Sequence, residues 1–387
     1  MTRSSTPRRR RLPVLATVAV TGLGLGLAAA PSTASAATTS SAPARQADHR
    51  GHDSDDGAFA QVNLVADRPG IAAITDPHLV NPWGLSQGPT TPVWASDNGA
   101  DVTTLYTGGG AGQTPSAVPL VVSVPGGAPT GQAFNPTSSF VLPDGQPALF
   151  VFAGEGGDLS AWNRGLSPVT SAVHVGAVKG GTLKGLALLP STAYGPEILV
   201  ADFAHGRIAA FDGAFQRIAL PRWAFTDRRI PRGYAPFNVA LLGSRVFVTY
   251  AKQDAAKHDD VSGAGHGFVD VYSTSGRLLD RFARRGVLNS PWGLAIAPAH
   301  FGAFSGAVLV GNFGDGRIHA FDPRTGRLLG VLRDGHRRPI VIEGLWGLLP
   351  GNGTSAGTDD VWFSAGPGDE AHGLLGVLRA LPDRDAD

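Results

Sequence analysis

The chain has 387 residues, 42% hydrophobic and 16% charged, with 32 basic against 31 acidic side chains. It has no cysteine, and its one methionine is Met1. Disulfides, thiolate chemistry and thiol-linked lipid anchors are therefore excluded, and the charge balance leaves no basic footprint for general nucleic-acid binding.

Residues 1–36 read as a signal peptide for export. They carry five arginines, an apolar stretch interrupted by glycines, and the ending Ala34–Ser35–Ala36. Arg8 to Arg11 followed by Leu12 also fit the twin-arginine route. The apolar stretch is short for a span, so no membrane span is expected. Without this leader the chain holds 27 basic and 31 acidic residues, a formal charge of −4, and a secreted or extracellular location follows. Residues 37–58 read as a flexible polar lead-in. His49 and His52 lie there beside Asp48, Asp53, Asp55 and Asp56, a tract that more often binds nothing.

From residue 59 the chain repeats itself. Gly84 of NPWGLS matches Ser138 of NPTSSF, Gly185 of LKGLAL, Asn238 of APFNVA, Gly293 of SPWGLA and Gly347 of GLWGLL, in steps of 54, 47, 53, 55 and 54 residues. The fifth repeat shows the plan, with β-runs WGLAIAP, AVLVGNF, RIHAFD and RLLGVLR separated by hairpin signals such as GDG and PRTG. A repeat of that size must stack on its neighbours. Four antiparallel strands repeated six times predict an all-β fold, a six-bladed β-propeller forming one domain over 59–381 with a tail at 382–387. The sixth repeat ends before its outer strand. Gln61–Ala66 should supply that strand and close the ring, removing a free edge.

The innermost strands of a propeller line its channel. The loops leading into them carry His78, Asn81, Asn135, Asn238, Asn289 and Glu343, and the turns leaving the second strands carry Asp97, Asn98, Glu155, Asp202 and Asn312. Converging carboxylates and amides suit a hard cation such as Ca²⁺, for which Asn81, Asn289 and Glu343 are the candidate metal ligands. Glu155 and Glu343 stand out because the chain beyond the leader has four glutamates. Asn and Asp before Pro or Gly are equally ordinary turn residues. Asn81, Trp83, Asn135, Asp202, Trp292 and Trp346 are candidate ligand-binding residues. Trp83, Trp292 and Trp346 share one repeat position, with Phe237 in the fourth repeat. That position reads as packing between blades or as a stacking platform for a flat ligand. An insertion at 251–267 holds His258 and His266 with Asp259 or Asp260, a second candidate metal set. The preceding segment, 220–236, places four arginines among aromatics and reads as a solvated connection or a dock for an anionic envelope polymer.

VNLVADRPGIAAITDPHLVNPWGLS at 62–86, VWASDNGADVTTLY at 93–106 and the stretch 233–279 resemble an uncharacterised family of secreted bacterial six-bladed propellers, distantly NHL-like. The resemblance spans roughly residues 60–380 and implies a fold and export, with no activity attached. The residues show no HExxH and no phosphate loop in a strand–turn–helix setting. They favour a secreted non-catalytic binding or scaffold propeller, probed by an unknown small molecule, an envelope polymer or a protein, and monomeric. The alternative is a metal-dependent hydrolase of lactonase type, or a lyase, acting in the central channel.

Overall fold

The computed structural model describes residues 57–382. The expected leader, the His49/His52 tract and most of the tail lie outside these residues. Among the described residues no helix is long and apolar enough to cross a membrane.

Six antiparallel sheets form the blades of a propeller. Blade 1 runs Pro82–Ser86, Val93–Asp97 and Val102–Thr107, with two short outer pieces, Ser116–Ala117 and Val122–Ser123. Blade 2 runs Pro129–Phe134, Phe150–Gly154, Asp158–Trp162 and Val173–Ala177. Blade 3 runs Leu183–Leu189, Glu197–Asp202, Arg207–Asp212 and Arg217–Ile218. Blade 4 runs Tyr234–Leu242, Arg245–Lys252, Phe268–Tyr272 and Leu278–Arg284, and blade 5 Pro291–Ile296, Val308–Asn312, Ile318–Phe321 and Leu328–Val331. Blade 6 takes Leu345–Pro350, Val361–Ala365 and Leu374–Ala380 from the end of the chain and Phe59–Ala66 from its beginning.

The ring closes as the sequence leads one to expect. Phe59–Ala66 lies antiparallel to Leu374–Ala380, from Phe59 opposite Ala380 to Ala66 opposite Leu374, with a bulge between Asn63 and Val65. Phe59 is buried and its ring meets Phe301 at 4.8 Å and Phe304 at 5.7 Å, so the closing strand also packs onto blade 5.

The repeated small residue has a steric cause. A Cβ on Gly347 would stand 2.7 Å from the Trp83 carbonyl oxygen, and one on Gly293 2.8 Å from that of Trp346. Inner strands of successive blades approach too closely at this level for a side chain. In blade 4 Asn238 occupies the slot and donates its amide to the Trp292 carbonyl at 2.8 Å, replacing contact with a hydrogen bond. This level also corrects the second repeat. Its inner strand is Pro129–Phe134, and Gly131, rather than Ser138, takes the position, closing against Gly185 and Leu186. NPTSSF imitates NPWGLS in its first two letters but forms the loop beyond that strand.

The axis is not an open channel. Trp83 stacks on Trp346 at 3.6 Å, Phe313 stacks on the other side at 4.0 Å, and Trp292 meets both tryptophans edge-on at 6.2 and 5.7 Å. With Phe203 and Phe237 they form a buried aromatic plug. The plug separates two mouths. The far mouth is an aliphatic funnel of about 500 Å³, walled by Leu85, Leu186, Leu188, Leu241, Leu294 and Leu348. The near mouth is built from the loops leading into the inner strands and the turns after the second strands, and it is polar.

Candidate functional site: a charged cup at the near mouth

The inner-strand position just before the small residue reads Trp83, Thr130, Lys184, Phe237, Trp292 and Trp346 around the ring. Blades 2 and 3 thus break the aromatic pattern side by side. The Lys184 side chain is 2% exposed, with Nζ 4.9 Å from the Trp83 ring centre. Its ammonium pairs with Glu155 Oε1 from the turn of blade 2 and lies 3.5 Å from Asp259 Oδ1 of the blade 4 insertion. A buried lysine is tolerated only with such partners.

The insertion spans the turn between Arg245–Lys252 and Phe268–Tyr272 and folds as a strap. Asp254 caps its tip, accepting from the His258 backbone N–H at 2.9 Å. The Val261 N–H returns to the Lys252 carbonyl at 2.7 Å, and the Gly263 N–H donates to Asn289 Oδ1 at 2.6 Å, which ties the strap to blade 5. The strap thereby carries His258 and Asp259 across the mouth, with His258 Nδ1 2.9 Å from Asp259 Oδ1. Ligating atoms of Glu155, His258 and Asp259 all lie within 4.8 Å of one another. These three side chains could chelate a divalent cation, and the set is not specific to Ca²⁺.

Amides extend the cup. Asn98 Nδ2 donates to Glu155 Oε2 at 3.2 Å, and Asn81 Nδ2 donates to Asn98 Oδ1 at 3.3 Å and to Glu370 Oε2 at 2.8 Å. Asn81, held at φ 48°, accepts from Trp346 Nε1 at 3.0 Å, which links the cup to the plug. Burial pushes the Glu370 carboxyl above its ordinary range, with the Asn81 hydrogen bond opposing. Burial alone would also raise Asp259, but Lys184 and His258 outweigh it and hold that carboxyl low. Two neighbouring acids are therefore pushed in opposite directions, an arrangement common where protons are moved.

The other sequence candidates have their own partners. Trp83, Trp292 and Trp346 belong to the plug, each at most 4% exposed. Asn135 sits at the far end of its strand, where its amide donates to the Ser139 and Ala148 carbonyls at 3.1 and 2.8 Å. Asp202 is buried and holds His205 Nδ1 at 2.9 Å and Arg207 Nε at 3.2 Å. Glu343 accepts from the Gly368 N–H at 3.0 Å, and His266 Nδ1 faces the Val261 carbonyl at 2.8 Å. Of Asn81, Asn289 and Glu343, Asn81 reaches the cup, Asn289 anchors the strap, and Glu343 ties a loop of blade 6. Lys184 and Glu370 were missed by sequence reasoning. A lysine in an aromatic slot, and the scarcity of glutamate, were the available signals.

No protein-family model matches the chain. It is 32% identical over 326 residues to uncharacterized protein R648 of Acanthamoeba polyphaga mimivirus, covering 81% of this chain and 78% of that protein. Uncharacterized protein L690 of the same virus is 32% identical over 326 residues, covering 81% and 84%. The chain belongs to the R648/L690 family. Members of the R648/L690 family among the curated relatives are viral and, like the proteins it resembles by sequence, uncharacterised. Among solved structures, a glucose dehydrogenase has a TM-score of 0.51 at 11% identity, with 84% of this chain and 100% of that chain covered. A streptogramin B lyase has a TM-score of 0.46 at 10% identity, covering 84% and 97%. At these identities the likeness is one of fold.

Proposed function

We propose that the near-mouth cup is a metal-dependent catalytic centre of hydrolase or lyase type. The observation that carries this reading is the meeting of Glu155, His258 and Asp259 from blades 2 and 4, with Lys184 and Glu370 beside them. Two carboxylates and an imidazole would hold a divalent ion with coordination positions left for water and substrate. The imidazole favours ions such as Mn²⁺ or Zn²⁺ over Ca²⁺, which prefers oxygen donors alone. Glu370, biased toward its neutral form, is suited to give a proton, and Lys184 to stabilise developing negative charge. Sequence patterns alone favoured a non-catalytic propeller, and the converging titratable groups move the balance to the catalytic alternative. One observation keeps the scaffold reading in view. The Lys184 ammonium already sits between Glu155 and Asp259 as an internal cation. We further propose that the protein acts outside the cell, on the strength of its N-terminal signal pattern.

Calorimetry on EDTA-treated mature protein with Mn²⁺, Zn²⁺ and Ca²⁺, together with turnover of a lactone and ester panel, tests the proposal. Stoichiometric binding lost in Glu155→Gln and His258→Ala, with turnover that requires the ion, is expected. Binding without turnover of any substrate would return the cup to a scaffold role. Silence for all three ions would remove the metal altogether.

A further inference from the structure

We propose that the connection between blades 3 and 4, residues 219–233, is a docking surface for an anionic polysaccharide. None of these residues belongs to the cup, and the proposal is independent of its chemistry. The connection is pinned from within. Ala224 and Phe225 are buried, the Phe225 N–H donates to the Gly276 carbonyl at 2.8 Å, and the Phe225 ring meets Tyr272 at 5.5 Å. Asp227 is buried and receives Arg281 Nε at 2.5 Å and Nη2 at 2.7 Å, a bidentate pair, together with the Arg229 backbone N–H at 2.9 Å.

That inner anchoring leaves the outer side chains unanswered. Arg222, Trp223, Arg228, Arg229 and Arg232 are all exposed. Asp227 is the single acid in the connection, and its carboxylate is taken by Arg281. Among the described residues no ion pair involves Arg222, Arg228, Arg229 or Arg232. Trp223 is 56% exposed, while the other six tryptophans are at most 4% exposed. The chain beyond its leader is net acidic, so a fifteen-residue connection with four exposed arginines and an exposed indole, where only Arg229 feels an acid, the buried Asp227, runs against the rest of the surface.

The chemistry of the patch selects the partner. An indole face stacks on the apolar C–H face of a pyranose ring. Guanidinium forks bind carboxylate or sulfate oxygens in pairs. A neutral polysaccharide would use the indole and leave the arginines idle. A duplex nucleic acid would call for a longer track of positive charge than one fifteen-residue connection presents.

Affinity electrophoresis of the mature protein through polygalacturonate and through dextran sulfate, with neutral dextran and a short DNA duplex as controls, tests the assignment. The two anionic polymers separate carboxylate from sulfate recognition. Retardation by at least one of them is expected, falling several-fold between 50 and 200 mM salt. Trp223→Ala and the double change Arg228→Ala/Arg229→Ala should each weaken it by roughly tenfold. Both variants should keep the wild-type melting temperature, since the altered side chains face solvent. The proposal is overturned if neither anionic polymer retards the protein, if the variants bind as wild type, or if neutral dextran or the duplex binds as well.

Discussion

Lys184→Met is the most direct probe of the cup. The methionine keeps an apolar stem against Trp83 and removes the charge between Glu155 and Asp259. The Lys184 and Glu155 side chains are 2% and 17% exposed, so this arm lies in the buried regime, where removing one partner costs about 3–5 kcal/mol. The Asp259 side chain is 47% exposed, and its arm adds at most about 1 kcal/mol. Glu155 retains the Asn98 amide, which places the expected loss near the lower bound, about 3 kcal/mol. With an unfolding entropy of about 2.1 cal/mol/K per residue over the described 57–382, that is a fall of about 4 °C in melting temperature. Millimolar Mn²⁺ should restore most of it, because a divalent ion replaces the missing charge, and the variant should bind the ion more tightly than wild type, in which Lys184 competes. Differential scanning calorimetry with and without the ion reads both effects. An unchanged melting temperature would refute the ion-pair reasoning, and a loss that no divalent ion reverses would refute the cation reading.

Trp346→Ala opens the plug where Trp83, Phe313 and Trp292 converge, and should cost about 3–5 kcal/mol in chemical denaturation. Asp270, buried and near Asp227, has its carboxyl pushed up to about 7, burial first and Asp227 second. The folded state thus holds a proton that the unfolded chain loses near 3.8, so stability falls as pH rises from about 4 to about 7, by up to roughly 4 kcal/mol. Asp270→Asn should flatten this slope in urea melts at pH 5 and pH 8, and an unaltered slope would count against it. Removing residues 37–57 should leave the melting temperature unchanged, while removing 37–67 deletes the closing strand and should cost several kcal/mol with aggregation on size-exclusion chromatography. If the proposed export holds, N-terminal sequencing of protein recovered from the culture medium should begin at Ala37, and a chain retained with its first 36 residues would count against it.

The architecture was legible because most blades write the same signals: an inner run with a small residue at its middle, a Gly-rich hairpin and, in blades 2, 3 and 5, a third run ending in Asp or Asn. The second repeat misled because PTGQAF carries no large aliphatic side chain, and its neighbour NPTSSF copies the opening of NPWGLS. The cup was legible only in pieces. Glu155 in a turn and His258 and Asp259 in the insertion are about a hundred residues apart, and nothing in their spacing says that the strap crosses the mouth to blade 2. Asn289 and Glu343 drew attention by residue type, yet each is satisfied by a backbone N–H, the usual fate of a loop amide or carboxylate. Lys184 was hidden inside a strand, where only comparison with the tryptophan slots would have exposed it.

The plug and the cup have one origin. If all six slots held aromatics, the axis would be sealed evenly and neither mouth would carry buried charge. Blade 2 instead offers Thr130, whose hydroxyl is committed to the Leu183 carbonyl at 2.8 Å. Blade 3 offers Lys184, whose own carbonyl is held by Trp292 Nε1 at 3.0 Å. The small threonine and the linear lysine leave the plug thin on one side, and a charged head placed there can be satisfied only from the near mouth. Glu155 on the adjacent turn and Asp259 on the strap meet that requirement. The strap therefore has to reach blades 2 and 3 rather than stop at its own blade, and the titratable groups gather on the side where the aromatic ring is broken. Restoring the ring should act in the opposite sense to opening it. A Lys184→Trp change, if the cup tolerates the volume, removes the demand for Glu155 and Asp259, and with it the reason for the strap to cross the mouth. Faster hydrogen exchange at residues 254–261 in that variant, with the blade strands still protected, is the expected signature. Unchanged exchange in the strap would mean that Asn289 and the Asp254 cap alone hold it in place.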